Sequence, residues 1–472
     1  MRLVALFAAL LFPLATCRAL GADSSKPNIL FLFADDMTFD AVRALGELDI
    51  DTPNLDRLVQ RSTRFSRCYN MGSWSPAVCI ASRAMLITGR HMWDAASVHG
   101  RMNEEREKKV LWPQLLSQAG YQTYMTGKWH IPTEAARCFD VVGTVRQGMP
   151  KDTPASYKRP VEGQTERWRA DDVDLGGYWA GGKHWSEVTA DEAVGFLDQS
   201  TKTDKPFFLY VAFNAPHDPR QSPTEFLNKY PLERVKLPPA FLPDYPHKDD
   251  MGCGPGLRDE KLAPFPRTEF AIKVHRREYY ALITHLDAQI GRILAALEAS
   301  GKSTNTWVFF TADHGLAVGN HGLMGKQNMY EHSVRVPFLV AGPGVPENAQ
   351  REASIYLQDA MATTLALAGV KKPEHVFFHD LQPLLKNPAA PSPYPAVYGA
   401  YLQLQRSVSA DGWKLIRYPA NHVSRLYDLR NDPLELKDLA SDKSQAARVA
   451  ELTSHLGALQ RQLGDKLPAP QP

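Results

Sequence analysis

Four stretches of strand length constrain this chain more than anything else in it. They are Asn28-Ile-Leu-Phe-Leu-Phe33, Tyr121-Gln-Thr-Tyr-Met-Thr126, Pro206-Phe-Phe-Leu-Tyr-Val-Ala-Phe213 and Thr306-Trp-Val-Phe-Phe-Thr311, and three of the four are almost wholly apolar. A strand without polar alternation has to be covered on both faces, which is the condition of a parallel sheet between two helix layers. Helical signals lie between these strands. Thr52-Pro53 opens a helix with Leu55 and Leu58 inward, Trp112–Ala119 is closed by Gly120, and Trp185–Gln199 follows. Phe270–Ser300 carries Tyr279, Leu282, Leu286, Ile290, Ile293 and Leu297 at helical spacing and stops at Gly301. The pattern predicts an α/β fold, a large mixed and mostly parallel sheet sandwiched by helices.

Each strand run stops at residues that carry chemistry. The ends are Asp35-Asp36, Lys128-Trp129-His130, His217-Asp218 and Asp313-His314. In open α/β sheets, ligands bind just beyond the carboxyl ends of the strands. Two adjacent carboxylates after a buried strand repel each other unless a cation lies between them. Taken singly, each pair has a plainer reading as a solvated loop or a chance dipeptide. Four such pairs at equivalent strand ends are hard to ascribe to core packing. Cys79, in SPAVCIASRAMLITGR, sits near a helix start, where free N–H groups favour an anion. Its plain reading is a small buried thiol. Lys326 lies in a Gly- and His-rich loop after Asp313, where the plain reading is a surface lysine.

Composition narrows the setting. The 472 residues carry a formal charge of +2 without a basic stripe or polybasic tail, so nothing points to nucleic acid. The opening MRLVALFAALLFPLATCRALGA reads as a signal peptide over residues 1–22, and no later stretch is long enough to span a bilayer. The rival reading is a lipoprotein signal ending at Cys17, which the preceding Thr16 fits poorly. Beyond the leader lie Cys68, Cys79, Cys138 and Cys253, too few for a disulfide scaffold, and there is no zinc-type spacing. The absence of any Asn-x-Ser/Thr sequon in an exported chain favours a bacterial periplasm or exterior. The segments 135–183 and 221–268, rich in Pro, Gly and polar residues, read as irregular loops over one face. PAAPSPYP after Pro388 reads as a linker, giving a main domain over 26–387 and a subdomain over 388–472, a small antiparallel sheet with one helix near Ala446–Leu463.

With PNILFLFADD, CIASR followed by TGR, TGKWH, NAPHDP, FFTADHG and LYDLRNDPLELKDLA in this order, the chain resembles the type I sulfatases of the alkaline-phosphatase-like superfamily from roughly Lys26 to Asp438. The resemblance implies that Cys79 is oxidised after synthesis to formylglycine by a formylglycine-generating or an anaerobic sulfatase-maturing enzyme. It implies one calcium ion on Asp35, Asp36, Asp313 and His314. Clustered carboxylate oxygens suit such a hard cation, although many family members have Asn where His314 stands. Arg83 and Lys128 would stabilise the hydrated aldehyde, with His130 bonded to one of its hydroxyls. His217 and Lys326 would grip the sulfate, one of them protonating the leaving alkoxide. In that scheme one hydroxyl attacks sulfur and releases the alcohol; the second then loses its proton and expels sulfate. A plain Cys or Ser lacks the second hydroxyl. Ala81 stands where Pro is commonest, which bears on which maturing enzyme accepts the chain.

Two other readings stand beside this one. A phosphatase, phosphodiesterase or phosphonate hydrolase of the same superfamily would, if it used two zinc ions, need a second Asp/His cluster and a Ser or Thr nucleophile. A phosphonate monoester hydrolase can share the formylglycine. A catalytically inactive glycan-binding protein would leave catalytic positions unfilled, whereas every matched position is filled. Export and the long loops favour a sulfated sugar or polysaccharide as substrate. Trp93, His99, Trp179, His184 and Trp185 are candidate sugar-contacting residues, for each of which loop packing is the simpler account.

Overall fold

The computed structural model describes residues 26–468. The expected leader, and Cys17 with it, lies outside the described residues. An eight-stranded sheet forms the centre. Its strands are β1 (Asn28–Ala34), β2 (Thr63–Phe65), β3 (Gln122–Lys128), β4 (Val141–Arg146), β5 (Phe207–Ala212), β6 (Thr306–Ala312), β7 (Phe338–Ala341) and β8 (Ala349–Arg351). They run in the order β8-β2-β7-β6-β1-β5-β3-β4. The consecutive pairs β6–β1, β1–β5, β5–β3 and β3–β4 are all parallel, while β7 is antiparallel to β6 and to β2. The four sequence-read strands are thus four central neighbours, β6-β1-β5-β3. β4 was not read from the sequence. It lies inside the segment taken for loops and is half-exposed along most of its length, so its apolar residues carry no buried-strand signal.

Helices cover both faces. Phe31 of β1 and Phe208 of β5 meet Trp112 of α5 (Trp112–Gln118) at centroid distances of 5.0 and 4.8 Å. Tyr124 of β3 points to the other face and meets Phe196 of α6 (Trp185–Ser200) at 5.3 Å. α6 packs beside α7 (Glu269–Ala299), a helix of 31 residues and about 46 Å. The continuous apolar character of β1 follows from this arrangement, since all seven of its residues are buried. Thr52 stands at the N-cap of α1 (Pro53–Gln60) as expected, but its hydroxyl bonds Asp56 rather than the helix N–H groups. Asp287 of α7 accepts from Asn54 N and Leu55 N at 3.1 and 2.7 Å, so one helix caps another.

The tail forms β9 (Val397–Tyr401), β10 (Gln405–Ala410), β11 (Trp413–Tyr418) and β12 (Val423–Asp428), an antiparallel meander. Gly72–Ser73 adds a parallel fifth strand against β9. A terminal helix, Ala446–Gln462, packs on β10 and β11. The four described cysteines are free and buried. Among the described residues no helix is long and apolar enough to cross a membrane.

Candidate active site

All ten residues singled out from the sequence converge at the carboxyl ends of β1, β3, β5 and β6. Asp35 and Asp36 follow β1 and are wholly buried. Asp36 adopts φ 67°, a conformation that few residues other than glycine accept, and its N–H donates to Asp313 Oδ1 at 3.2 Å. Asp313 follows β6. Its carbonyl accepts from Asn70 Nδ2 (2.6 Å) and Ser82 Oγ (2.8 Å), which fixes the turn that aims the carboxylate inward. Gly127 precedes Lys128 because a Cβ there would come within 1.9 Å of Ala212 O on β5. Its φ of +94° also suits glycine alone.

Cys79 lies in the first turn of α2 (Val78–Thr88), at the helix start that the sequence suggests. Its Sγ is 3.3 Å from His130 Nδ1. Burial pushes the thiol up, but the charge of Lys128, hydrogen bonding to His130 and the nearby His314 ring outweigh it and hold the thiol well below its ordinary value. Arg83, one turn on, is fully buried; its Nε donates to Asp313 Oδ2 (3.2 Å) and Nη1 to Lys128 O (3.0 Å), and it lies over the Phe33 ring. Lys128 pairs with Asp35. His130, also at positive φ, donates its backbone N–H to Gln147 Oε1 at 2.9 Å.

On the opposite side, Lys326 is buried rather than at the surface. Its Nζ reaches Asp36 Oδ2 at 2.7 Å and His217 Nε2 at 2.9 Å. Burial opposes its charge, but Asp36 and Asp259 raise its pKa, so the ammonium persists. His217 is driven well below its ordinary pKa by burial first and Lys326 second. A neutral ring beside an ammonium accepts at Nε2 and therefore donates Nδ1–H to Asp218 O at 2.6 Å.

The donor set fits a divalent cation. Asp35 Oδ1 and His314 Nε2 are buried without a hydrogen-bond partner, which costs free energy unless something else satisfies them. His314 Nε2 lies 3.2 Å from Asp36 Oδ1 and 3.5 Å from Asp313 Oδ1. Ligand atoms of Asp35, Asp313, His314 and Cys79 fall within 4.8 Å of one another. The electrostatics agree. Burial lifts the Asp36 carboxyl to about 7 despite Lys326, and His314, though opposed by burial, is pushed up to about 9 by Asp313 and Asp36. Asp313 itself, where burial is outweighed by His314 and Arg83, falls to about 2.

The sequence reading missed a supporting triplet, Arg258-Asp259-Glu260. Arg258 Nη1 donates to Asp218 Oδ2 at 2.5 Å. Asp259 lies 3.7 Å from Lys326 Nζ and accepts from Gln327 Nε2 at 2.9 Å. Glu260 accepts from Met324 N and Gly325 N at 3.0 and 2.9 Å. One segment thus braces both His217 and Lys326. It sits in Pro-rich sequence without periodicity, and only the charged run RDE could have drawn attention to it. Tyr178 also escaped notice; its hydroxyl lies 2.6 Å from Asn214 O and 2.7 Å from His217 O and fixes that loop. Of the aromatic and His candidates, His184 caps α6 by accepting from Ser186 N, Trp93 bonds Tyr398, and Trp185 stacks under Arg146. Trp179 packs edge-on to His184. His99 packs edge-on to Trp74, its imidazole held below the ordinary value by burial and then by the charge of His130.

A mostly parallel sheet that gathers buried carboxylates, cations and a thiol at one end defines an α/β enzyme of the alkaline-phosphatase-like superfamily. The chain belongs to the sulfatase family, whose model matches residues 27–370, and is a sulfuric ester hydrolase. A second model, N-sulphoglucosamine sulphohydrolase, C-terminal, matches residues 319–462. The chain is 28% identical to an arylsulfatase of Clostridium perfringens over 90% of this chain and 92% of that protein. It is 25% identical to an N-acetylglucosamine-6-O-sulfatase of Bacteroides thetaiotaomicron, over 94% and 88% respectively. In fold it matches a solved structure in complex with its substrate D-glucosamine-2-N,6-O-disulfate, with a TM-score of 0.72 at 24% identity, covering 95% of this chain and 100% of that one.

Proposed function

We propose that the chain is an exported sulfatase that removes sulfate from a sulfated carbohydrate. In this reading Cys79 is converted to formylglycine by a maturing enzyme, and Asp35, Asp36, Asp313 and His314 hold calcium. The seat of Cys79 carries the proposal. Its acidified thiol lies at a helix start, 3.3 Å from His130 and among the same carboxylates that leave Asp35 Oδ1 unpaired. A relative named N-acetylglucosamine-6-O-sulfatase and a matching structure in complex with its substrate D-glucosamine-2-N,6-O-disulfate support a sugar substrate.

Calcium, when bound, supplies a Lewis acid for a sulfate oxygen, and formylglycine supplies a second hydroxyl. The chain's own residues do the rest. Arg83 and Lys128 stabilise negative charge at position 79, and His130 hydrogen-bonds the group there. Lys326 grips the sulfate, and His217, which accepts from its Nζ, holds that ammonium in place. Of these two, Lys326 carries the proton for the leaving alkoxide, because His217 Nε2 is already an acceptor.

Charge decides between esters. Once a metal has displaced the protons of Asp36 and His314, five carboxylates (Asp35, Asp36, Asp218, Asp259, Asp313) face four cations (Arg83, Lys128, Arg258, Lys326), a balance of one negative charge before the ion itself is counted. A divalent ion turns that into one positive charge. A sulfate monoester neutralises it, whereas the nearly dianionic phosphate monoester overfills the pocket. The test is kcat/KM for aryl sulfate, phosphate and phosphonate esters and for a panel of sulfated monosaccharides, with peptide mass spectrometry on the Cys79 peptide. Aryl sulfate is expected to lead by at least about tenfold, or about 1.4 kcal/mol in the barrier. A phosphorus ester leading by that margin overturns the reading, as does active protein whose Cys79 is all unmodified thiol.

A further inference from the structure

An open cleft of about 520 Å³ lies against the His130 side of the site, lined among others by Asn103, Arg106, Thr133, Glu134, Arg137 and Gln147. We propose that this cleft is a subsite for the sugar adjoining the sulfated one, so that the enzyme acts on saccharide chains in preference to the free sulfated monosaccharide. The inference rests on the sulfated-carbohydrate reading above and adds to it a place for the second ring.

Three observations carry it. The first is continuity with the nucleophile. Gln147 accepts the His130 N–H at 2.9 Å, Ile131 of the cleft wall follows His130 in the chain, and His130 Nδ1 is 3.3 Å from Cys79 Sγ. The cleft wall is therefore joined, through Gln147 and Ile131, to the residue that touches Cys79. The second is a built polar wall. Arg106, of the helix Met102–Glu107, is 5% exposed. It donates Nη1 to Asn103 Oδ1 at 2.9 Å and Thr133 Oγ1 at 3.2 Å, and Thr133 donates on to Asn103 at 2.8 Å. These bonds set the side chains in fixed orientations before any ligand arrives. The third is chemistry. Arg106 and Arg137 are matched by Glu107 and Glu134, so the cleft offers donors and acceptors without net charge. Such a lining suits a neutral polyhydroxyl, unlike the cation-rich pocket that would take the sulfate.

The test uses the sulfated monosaccharide that the panel selects, free and as the terminal residue of a disaccharide and a trisaccharide. For the wild-type enzyme, kcat/KM is expected to rise by about tenfold or more from free to linked sugar, mainly through KM. In the double variant Glu134→Ala/Arg137→Ala, both on the exposed rim, and in Asn103→Ala, that ratio is expected to fall to within about threefold of unity. Melting temperatures identify a variant that has lost its fold. Equal kcat/KM for free and linked sugar in the wild type overturns the cleft and leaves the sulfatase reading intact, as does a ratio unchanged in the folded rim variant. Turnover of aryl sulfate but of no sulfated sugar overturns the carbohydrate reading and the cleft together.

Discussion

In the proposed calcium site, Asp36 and His314 hold protons that the metal would have to displace. Burial lifts Asp36 to about 7, and its acidic neighbours lift His314 to about 9. Below these values the metal-free site is protonated, and a cation has to expel those protons before it can bind. Calcium affinity is therefore expected to rise with pH from about 6 to 9, by up to about tenfold per unit for each proton displaced. Calorimetry in buffers of different ionisation enthalpy reads that proton release directly; a flat affinity across the window would remove His314 from the ligand set. Lys326 carries a second prediction. As the proposed general acid it would matter most when the leaving group is a poor one. Lys326→Ala is expected to slow a sugar sulfate by about 10²- to 10⁴-fold, and an activated aryl sulfate much less. Equal losses on both would make it a sulfate-binding residue only. At this scale the sequence was informative where chemistry interrupts a strand. Asp35, Asp36 and Asp313 are legible because an apolar run stops at them. Lys326 was reached only through the family resemblance, because 290 residues separate it from Asp36 and a loop gives it no periodicity.

Among the elements, the β3–β5 pair shows why a glycine stands before Lys128. The parallel register sets Gly127 against Ala212, and only a residue without Cβ allows that approach. Gly127→Ala is expected to cost at least about 1–3 kcal/mol through backbone strain and to displace Lys128. Denaturant unfolding and aryl sulfatase activity should fall together; stability alone changing would show that Lys128 tolerates the shift. The Arg258–Glu260 segment should behave differently, since it braces rather than builds. Asp259→Asn is expected to lower kcat about tenfold with little change in unfolding midpoint, because it loosens Lys326 and Gln327 without opening the core. An unchanged kcat would remove the brace. These two cases also mark what was legible. The central strands have a period and a composition that announce them. β4 is a half-exposed edge strand with a glycine at its third position, and β10 reads QRSVSA, too polar to be picked out as an apolar strand. The brace has no pattern at all, since its order comes entirely from the charges it meets in the folded chain.

Across the whole molecule, the division at 387/388 is best kept as a proposal of a subdomain that completes the main domain and does not fold apart from it. β9 pairs with Gly72–Ser73, where a Cβ on Gly72 would meet Ala400 O at 1.9 Å, and α2 with Cys79 begins five residues later. Tyr245, Tyr330, Tyr418 and Tyr427 share a chain of hydroxyl contacts across the junction. Lys414 of β11 is buried, 3.0 Å from Glu331 and 2.9 Å from Glu435. Removing one partner from such a cluster leaves buried charge uncompensated, and the penalty far exceeds that of an exposed pair. Lys414→Ala is therefore expected to cost about 3–5 kcal/mol. Lys202→Ala, which breaks an exposed pair with Asp198 at 2.9 Å, should change stability by less than about 1 kcal/mol. Because Glu331 follows the Lys326 loop directly, the Lys414 variant should also lose sulfatase activity before global unfolding as denaturant rises. Activity and far-ultraviolet circular dichroism measured along one urea titration decide the matter. Coincident transitions would mean that the subdomain and the site unfold as one unit, and a Lys414 variant as stable as Lys202→Ala would mean that the junction is held by its tyrosines and strand pairing alone.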